Sequence, residues 1–236
     1  MTDLRERTAP VVGTGAANHL RRRLVLAGVL VLAVLSTWLV AFSSVLGVRT
    51  VMVSGTGRVS VAEVQTAAAI TPGTPLARLD TAAIRARVAA IPAVRTVSVG
   101  TTYPSTVTIR VTERVAVGYR SVTGGALLVD VDDVGFATVG RPPAGLPRLD
   151  LSGDQARDAA TALVAGALPA ALARKIAVIS APSTESVTLR LTDDRIVLWG
   201  GTDRSTDKAR LLPVLFGQPG RYFDVSDPSS VISRGA

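Results

Sequence analysis

Ser205 and Lys208 stand three residues apart in STDKARLLPVLFGQ, the S-x-x-K spacing that sets a serine nucleophile beside a lysine in penicillin-interacting hydrolases. The companion S-D-N and K-T-G motifs are absent, and Lys208 also fits the surface of an amphipathic helix, so the pair is a lone motif. Asp130, Asp132 and Asp133 crowd another short stretch and invite a calcium reading. An EF-hand loop needs acids at alternate positions and a glutamate at the twelfth, where Arg141 stands, whereas aspartates suit a tight turn directly. His19 is the only histidine and there is no cysteine, which excludes a histidine-based triad after the first segment and any thiolate metal site. Neither Gly13-Thr14-Gly15 nor Gly55-Thr56-Gly57 continues into the G-x-G-x-x-G that would cradle a phosphate. No cofactor and no small-molecule substrate are expected, and recognition by surfaces is what remains.

Compartment is read from the start of the chain. Leu24 to Leu46, LVLAGVLVLAVLSTWLVAFSSVL, runs without a charge, and at the helical rise it reaches roughly 35 Å, enough to span a bilayer. Arg21, Arg22 and Arg23 abut its N-terminal end, so the positive-inside rule keeps residues 1–23 in the cytoplasm and sends everything after Leu46 outside. A cleaved signal peptide would have an apolar stretch of about 7 to 15 residues and an A-x-A-like site, and neither is found. The chain reads as a single-pass membrane protein with its N-terminus inside. The net charge of +8 does not make it a nucleic-acid binder: the exported basic residues are interspersed with acids, and 4% aromatic content gives few stacking surfaces.

The elements that would position any site come directly after the span. VRTVMVSG (48–55) alternates as a strand and stops at a Gly-Thr-Gly turn. Ser60 and Glu63 have capping-box spacing at the head of a helix, TPGTP (71–75) ends it, and Asp80 caps a second helix that Pro92 stops. VRTVSVG (94–100) and STVTIRVTE (105–113) then read as a hairpin around Pro104. The second strand carries an anomaly. Every odd position from Val107 to Tyr119 is apolar except Glu113, a carboxylate in the inward phase.

Strand, helix, helix, strand, strand directly after a membrane anchor resembles the POTRA module of the bacterial division proteins FtsQ and DivIB. The likeness is carried by Asp80, Ile91-Pro92, Val94, Tyr103-Pro104, Val107, Ile109, Val111 and Glu113-Arg114. Further on, LLVDVDDVGF (127–136) resembles the family's VD-DG-F turn with Asp133 in place of glycine, and Gly200 or Gly201 precedes a helix bearing Lys208. Ala116, Val117 and Gly118 depart from the proline and valine-alanine usual after the ER pair. The fold class implied is α+β: a tail (1–23), a transmembrane helix (24–46), a POTRA domain of β-α-α-β-β order (47–114) and a mixed α/β domain (115–236) with a C-terminal partner-binding strand.

Two readings of Glu113 stay open at this point: Glu113 and Arg114 mark a domain junction where water or a partner satisfies the carboxylate, or a bulge turns Glu113 to solvent. A sheet edge offers unpaired N–H and C=O groups to an added strand. The resemblance implies that FtsB/FtsL-type division proteins add there, on Tyr222, Phe223, Asp224, Val225, Ser226 and the return segment near Val231, while the POTRA module meets other divisome proteins. It implies a non-enzymatic scaffold at the septum that helps to control septal peptidoglycan synthesis. Two other classes remain, a POTRA-type envelope chaperone and an anchored serine hydrolase using Ser205 and Lys208.

Overall fold

The computed structural model describes residues 15–42 and 46–235, with side chains described over 21–36 and from 46 onward. A first helix, α1, spans Gly15–Phe42, and Arg21, Arg22 and Arg23 are exposed on it, as are the apolar side chains from Leu24 to Leu35. Among the described residues no helix is long and apolar enough to cross a membrane. All of 1–14 and the side chains of 37–45, which complete the expected tail and span, lie outside the described residues.

The next segment forms a three-stranded sheet covered by two helices. Its elements are β1 (Thr50–Ser54), α2 (Val61–Ala68), α3 (Thr81–Ala89), β2 (Val94–Thr102) and β3 (Thr106–Glu113). Strand order is β1-β3-β2, with β3 parallel to β1 and antiparallel to β2. The helix starts were written locally. Ser60 Oγ accepts the Glu63 N–H at 3.1 Å and Asp80 accepts the Ala83 N–H at 2.9 Å, each pairing a backbone donor that the first helical turn leaves free. Alternation places Val107, Ile109 and Val111 on the helix side, where they pack with Val64, Ile84 and Val88 into one core. Arg110 and Thr112 face solvent.

A nine-stranded sheet comes after it. A meander of β4 (Gly118–Val122), β5 (Gly125–Val129) and β6 (Gly135–Val139) leads to β7 (Arg148–Asp150) and to the helices α4 (Gln155–Ala167) and α5 (Ala170–Ala173). A second meander, β8 (Ile176–Ser180), β9 (Val187–Leu191) and β10 (Ile196–Gly200), runs into α6 (Ser205–Phe216), and the hairpin of β11 (Tyr222–Asp224) and β12 (Ile232–Arg234) ends the sheet. The order is β12-β11-β10-β9-β8-β7-β4-β5-β6. Leu149, Ile179, Leu189, Val197 and Phe223 are neighbours across the ladders, share one face and are all buried. α4, α5 and α6 cover that face, adding Val164, Leu172 and Leu212 to the core. Of the parallel pairs in this sheet, β7–β8 and β10–β11 are joined by helical crossovers through α4 and α6, while β4–β7 is joined through β5 and β6.

The sequence reading gives a C-terminal strand at 222–226 with a return segment near Val231, and of the first meander the turn within 127–136. In the structure strand and return segment form a hairpin, because Asp224 and Asp227 fold the segment between its arms: Asp224 accepts the Ser226 N–H and Asp227 the Ser229 N–H, both at 3.0 Å.

The two cores are separate clusters. Ile109→Ala should therefore cost about 2–4 kcal/mol, the usual range for a buried large-to-small change, and act on the first sheet. Proteolysis in a urea series should cut that sheet at lower denaturant, while emission from the fully buried Trp199 still reports a folded second sheet.

Candidate functional site: the C-terminal edge and the junction of the sheets

Glu113 closes β3, and its place in the inward phase has a local cause. Its carboxylate accepts three successive backbone N–H groups, from Gly57 at 2.6 Å, Arg58 at 2.9 Å and Val59 at 3.0 Å. These donors belong to the turn between β1 and α2, which would otherwise leave them unpaired. The hydrogen bond from Gly57, then that from Arg58, holds the Glu113 carboxyl below its ordinary value. Backbone N–H groups of the chain itself, rather than a bulge in its own strand, hold the carboxylate in the inward phase of the residue that ends β3. The bulge is on the opposite strand, where the register slips between Val94 and Thr96. Arg95 is the extra residue, and the slip re-aims its side chain out of the ladder.

That side chain crosses to the second sheet. Arg95 donates to both oxygens of Asp132, at 2.9 and 3.0 Å. Arg114, the next residue after Glu113, donates to Asp130 Oδ2. Asp130 is 1% exposed, and its Oδ1 also accepts the N–H groups of Asp132 and Val134, so the carboxylate is fully occupied. The three aspartates therefore form a turn, and Asp133 takes the glycine-like conformation, φ 57°, that its place in the motif demands. Burial and the nearby Asp158 push the Asp133 carboxyl up, against the pull of Arg120.

Ser205 and Lys208 are both committed elsewhere. Ser205 Oγ donates to the Thr202 carbonyl at 2.7 Å and accepts the Trp199 indole N–H at 3.2 Å. Lys208 is fully buried rather than on the surface, with Nζ donating to the Gly201 carbonyl at 2.9 Å and to Asp203 at 3.4 Å. Its charge holds the Asp203 carboxyl below the usual range. Both side chains knot the loop between β10 and α6, and neither partner of the serine is a base. Helical periodicity alone could not reveal this, because the acceptors of Lys208 lie in the loop before its helix.

At the C-terminus, Phe223 and Val225 are buried, Tyr222 and Asp224 are half-buried on the other face, and Ser226 is exposed. β11 lies between β10 and β12, so its own edge is taken. The free edge belongs to β12, where Ile232, Ser233 and Arg234 are exposed and Val231 immediately precedes them. Register places Arg148, Val178, Arg190, Ile196, Tyr222 and Arg234 in one row across the face opposite the helices, arginines interspersed with apolar groups. The first sheet has an edge of its own in the nine residues of β2.

Comparison with known proteins gives a consistent picture. A family profile described as "POTRA domain, FtsQ-type" matches residues 46–114. Proteins named "Cell division protein FtsQ" are similar over most of the chain: 44% identical in Mycolicibacterium smegmatis, over 84% of this chain and 60% of that protein. The Mycobacteroides abscessus protein is 39% identical over 92% and 70%, and the Streptomyces collinus protein 36% identical over 96% and 93%. The chain thus spans about 60% of the length of the Mycolicibacterium smegmatis relative.

Two substitutions test the junction. Asp130→Ala leaves Arg114 without its buried partner and should cost about 3–5 kcal/mol, read as a lower urea midpoint. Because the folded carboxyl of Glu113 is held below its unfolded value, its contribution is present above the ordinary carboxylate range and is lost as pH falls through the depressed value. Glu113→Gln should cost about 1–2 kcal/mol at neutral pH, and the gap from the unaltered chain should narrow in an acid titration.

Proposed function

The chain belongs to the FtsQ family of cell division proteins, and on that premise we propose that it is a non-enzymatic, single-pass membrane scaffold of the division machinery. Residues 1–23 stay in the cytoplasm with Arg21, Arg22 and Arg23 as the topological signal, 24–46 span the membrane, and the POTRA unit (47–114) and the second unit (115–236) work outside, at the septum. An FtsB/FtsL-type partner adds a strand to the C-terminal hairpin, and through that assembly the chain helps to control septal peptidoglycan synthesis. Other divisome proteins meet the POTRA unit, whose β2 is unpaired on one side.

The observation that carries the reading is the exposed β12, next to a buried β11 that fixes it to the core. An added strand would gain main-chain hydrogen bonds there, and the row from Arg234 to Arg148 would meet acidic and apolar side chains of the same partner. Tyr222 and Asp224 contribute from the open face, while Phe223 and Val225 act from below by holding the strand in place. The satisfied polar groups around Ser205 and Lys208 leave the hydrolase reading without a nucleophile.

The test is binding of the FtsB-like extracytoplasmic segment of the same organism to the whole chain in micelles, beside Val231→Pro and Ile232→Asp. The unaltered chain should bind saturably, and at least one folded variant should lose about tenfold, or about 1.4 kcal/mol. Normal binding by both variants would place the contact elsewhere. Comparable affinity for unrelated extended peptides would instead favour the chaperone reading.

A further inference from the structure

The covered face of the second sheet carries a surface that the C-terminal edge does not use. Between α4, α5 and α6 lies an open groove of about 610 Å3, with Leu172, Ala209 and Pro213 in its lining. Its size falls in the range of about 300–1,000 Å3 that ligand-sized clefts occupy. The apolar surface continues beyond it: Leu163 on α4 and Val214 on α6 are 48% and 65% exposed, although both belong to amphipathic helices whose other faces are buried. Ala167 on α4 and Arg210 on α6 line the groove, and Leu163 and Val214 each lie one helical turn from them, so an exposed apolar side chain extends each wall.

Two further features give the groove a preference. Pro213 lies inside α6 and has no N–H, so the Ala209 carbonyl in the groove lacks its usual i+4 donor. The rim is cationic. Lys175 lies 5.4 Å from the Phe216 ring and pairs with no carboxylate among the described residues. Arg210 has one exposed contact, to Asp207 at 3.4 Å, a pairing of little strength in water.

We propose that this groove is a second docking surface, built to receive an acidic amphipathic helix of a partner protein. Apolar side chains at helical spacing would fill the furrow, and carboxylates on the flanks of that helix would meet Lys175 and Arg210. The charge of the rim disfavours a basic helix, and the exposed Leu163 and Val214 favour a helix over a lone acyl chain, which would leave them uncovered.

The experiment is a selection on the whole chain in micelles from a displayed library of about 16-residue helices, apolar at i, i+3, i+4 and i+7 and random at the polar positions. The recovered pool should be enriched in Asp and Glu and bind at least about tenfold more weakly to Val214→Glu and, separately, to Leu163→Glu. Both positions are exposed, and Trp199 emission checks that each variant is folded. Selection on a Lys175→Glu, Arg210→Glu chain should recover Lys and Arg instead. A pool without charge preference, a pool that binds both surface variants normally, or no binding pool at all would overturn the proposal. So would dodecanoate binding that Val214→Glu abolishes while no helix is recovered, which would make the groove a lipid site.

Discussion

A buried carboxylate between two sheets sets the terms for the rest of the molecule. Asp130 is almost inaccessible, and an ionised group there is tolerable only with every lone pair engaged. Arg114 takes one oxygen and the Asp132 and Val134 N–H groups take the other. That demand fixes the turn after β5, and it fixes the direction in which the chain leaves β3, since Arg114 comes directly after Glu113. Glu113 meanwhile holds the turn between β1 and α2, so two adjacent residues of opposite charge each secure a different unit. Arg95, displaced by its bulge, adds a forked contact to Asp132 from the next strand. The first sheet is thereby tied to the second by two arginines, Arg95 and Arg114, on two aspartates, Asp132 and Asp130, and the two apolar cores stay separate.

The same economy governs the polar groups that resemble catalytic ones. Lys208, Ser205 and Asp158 are spent on loop carbonyls and N–H groups: Asp158 accepts from the Ser152 and Gly153 backbones just before α4, as Lys208 donates to the loop just before α6. Polar groups committed in this way rigidify the loops that lead into α4 and α6. What the second sheet offers is shape. One face is closed by helices, the other carries its row of arginines and apolar groups, and the strand order ends on an exposed β12.

The sequence is most legible where the determinant is local. Val107, Ile109 and Val111 alternate into the core, Asp80 caps α3, and Asp133 adopts a positive φ. It is least legible where the partner is distant. The donor to Glu113 at Gly57 is 56 residues away, and no periodicity announces it. The Arg95 bulge leaves one trace in the sequence, a change of phase between Val94 and the pair Val97 and Val99, but only the pairing with β3 shows that Arg95 is the extra residue. In RYFDVSDPSSVISR the sequence points to a return segment near Val231, and the structure adds the Asx turns at Asp224 and Asp227 that make the reversal. The sequence reading places Phe223 and Val225 among the contact residues. The complete burial of both makes them supports, and β12 inherits the exposed role.

If the chain works by presenting the β12 edge to an added strand, the backbone amides of that edge must lose their contact with water when the partner arrives. Amide hydrogen exchange on the whole chain, with and without the FtsB-like segment at saturation, reads this residue by residue. Exchange should slow at the amides of Val231 to Arg234, with little change along the already paired Tyr222 to Asp224. Unchanged exchange across β12, with protection along β2 instead, would contradict the edge-docking model and place the docking strand on the first sheet.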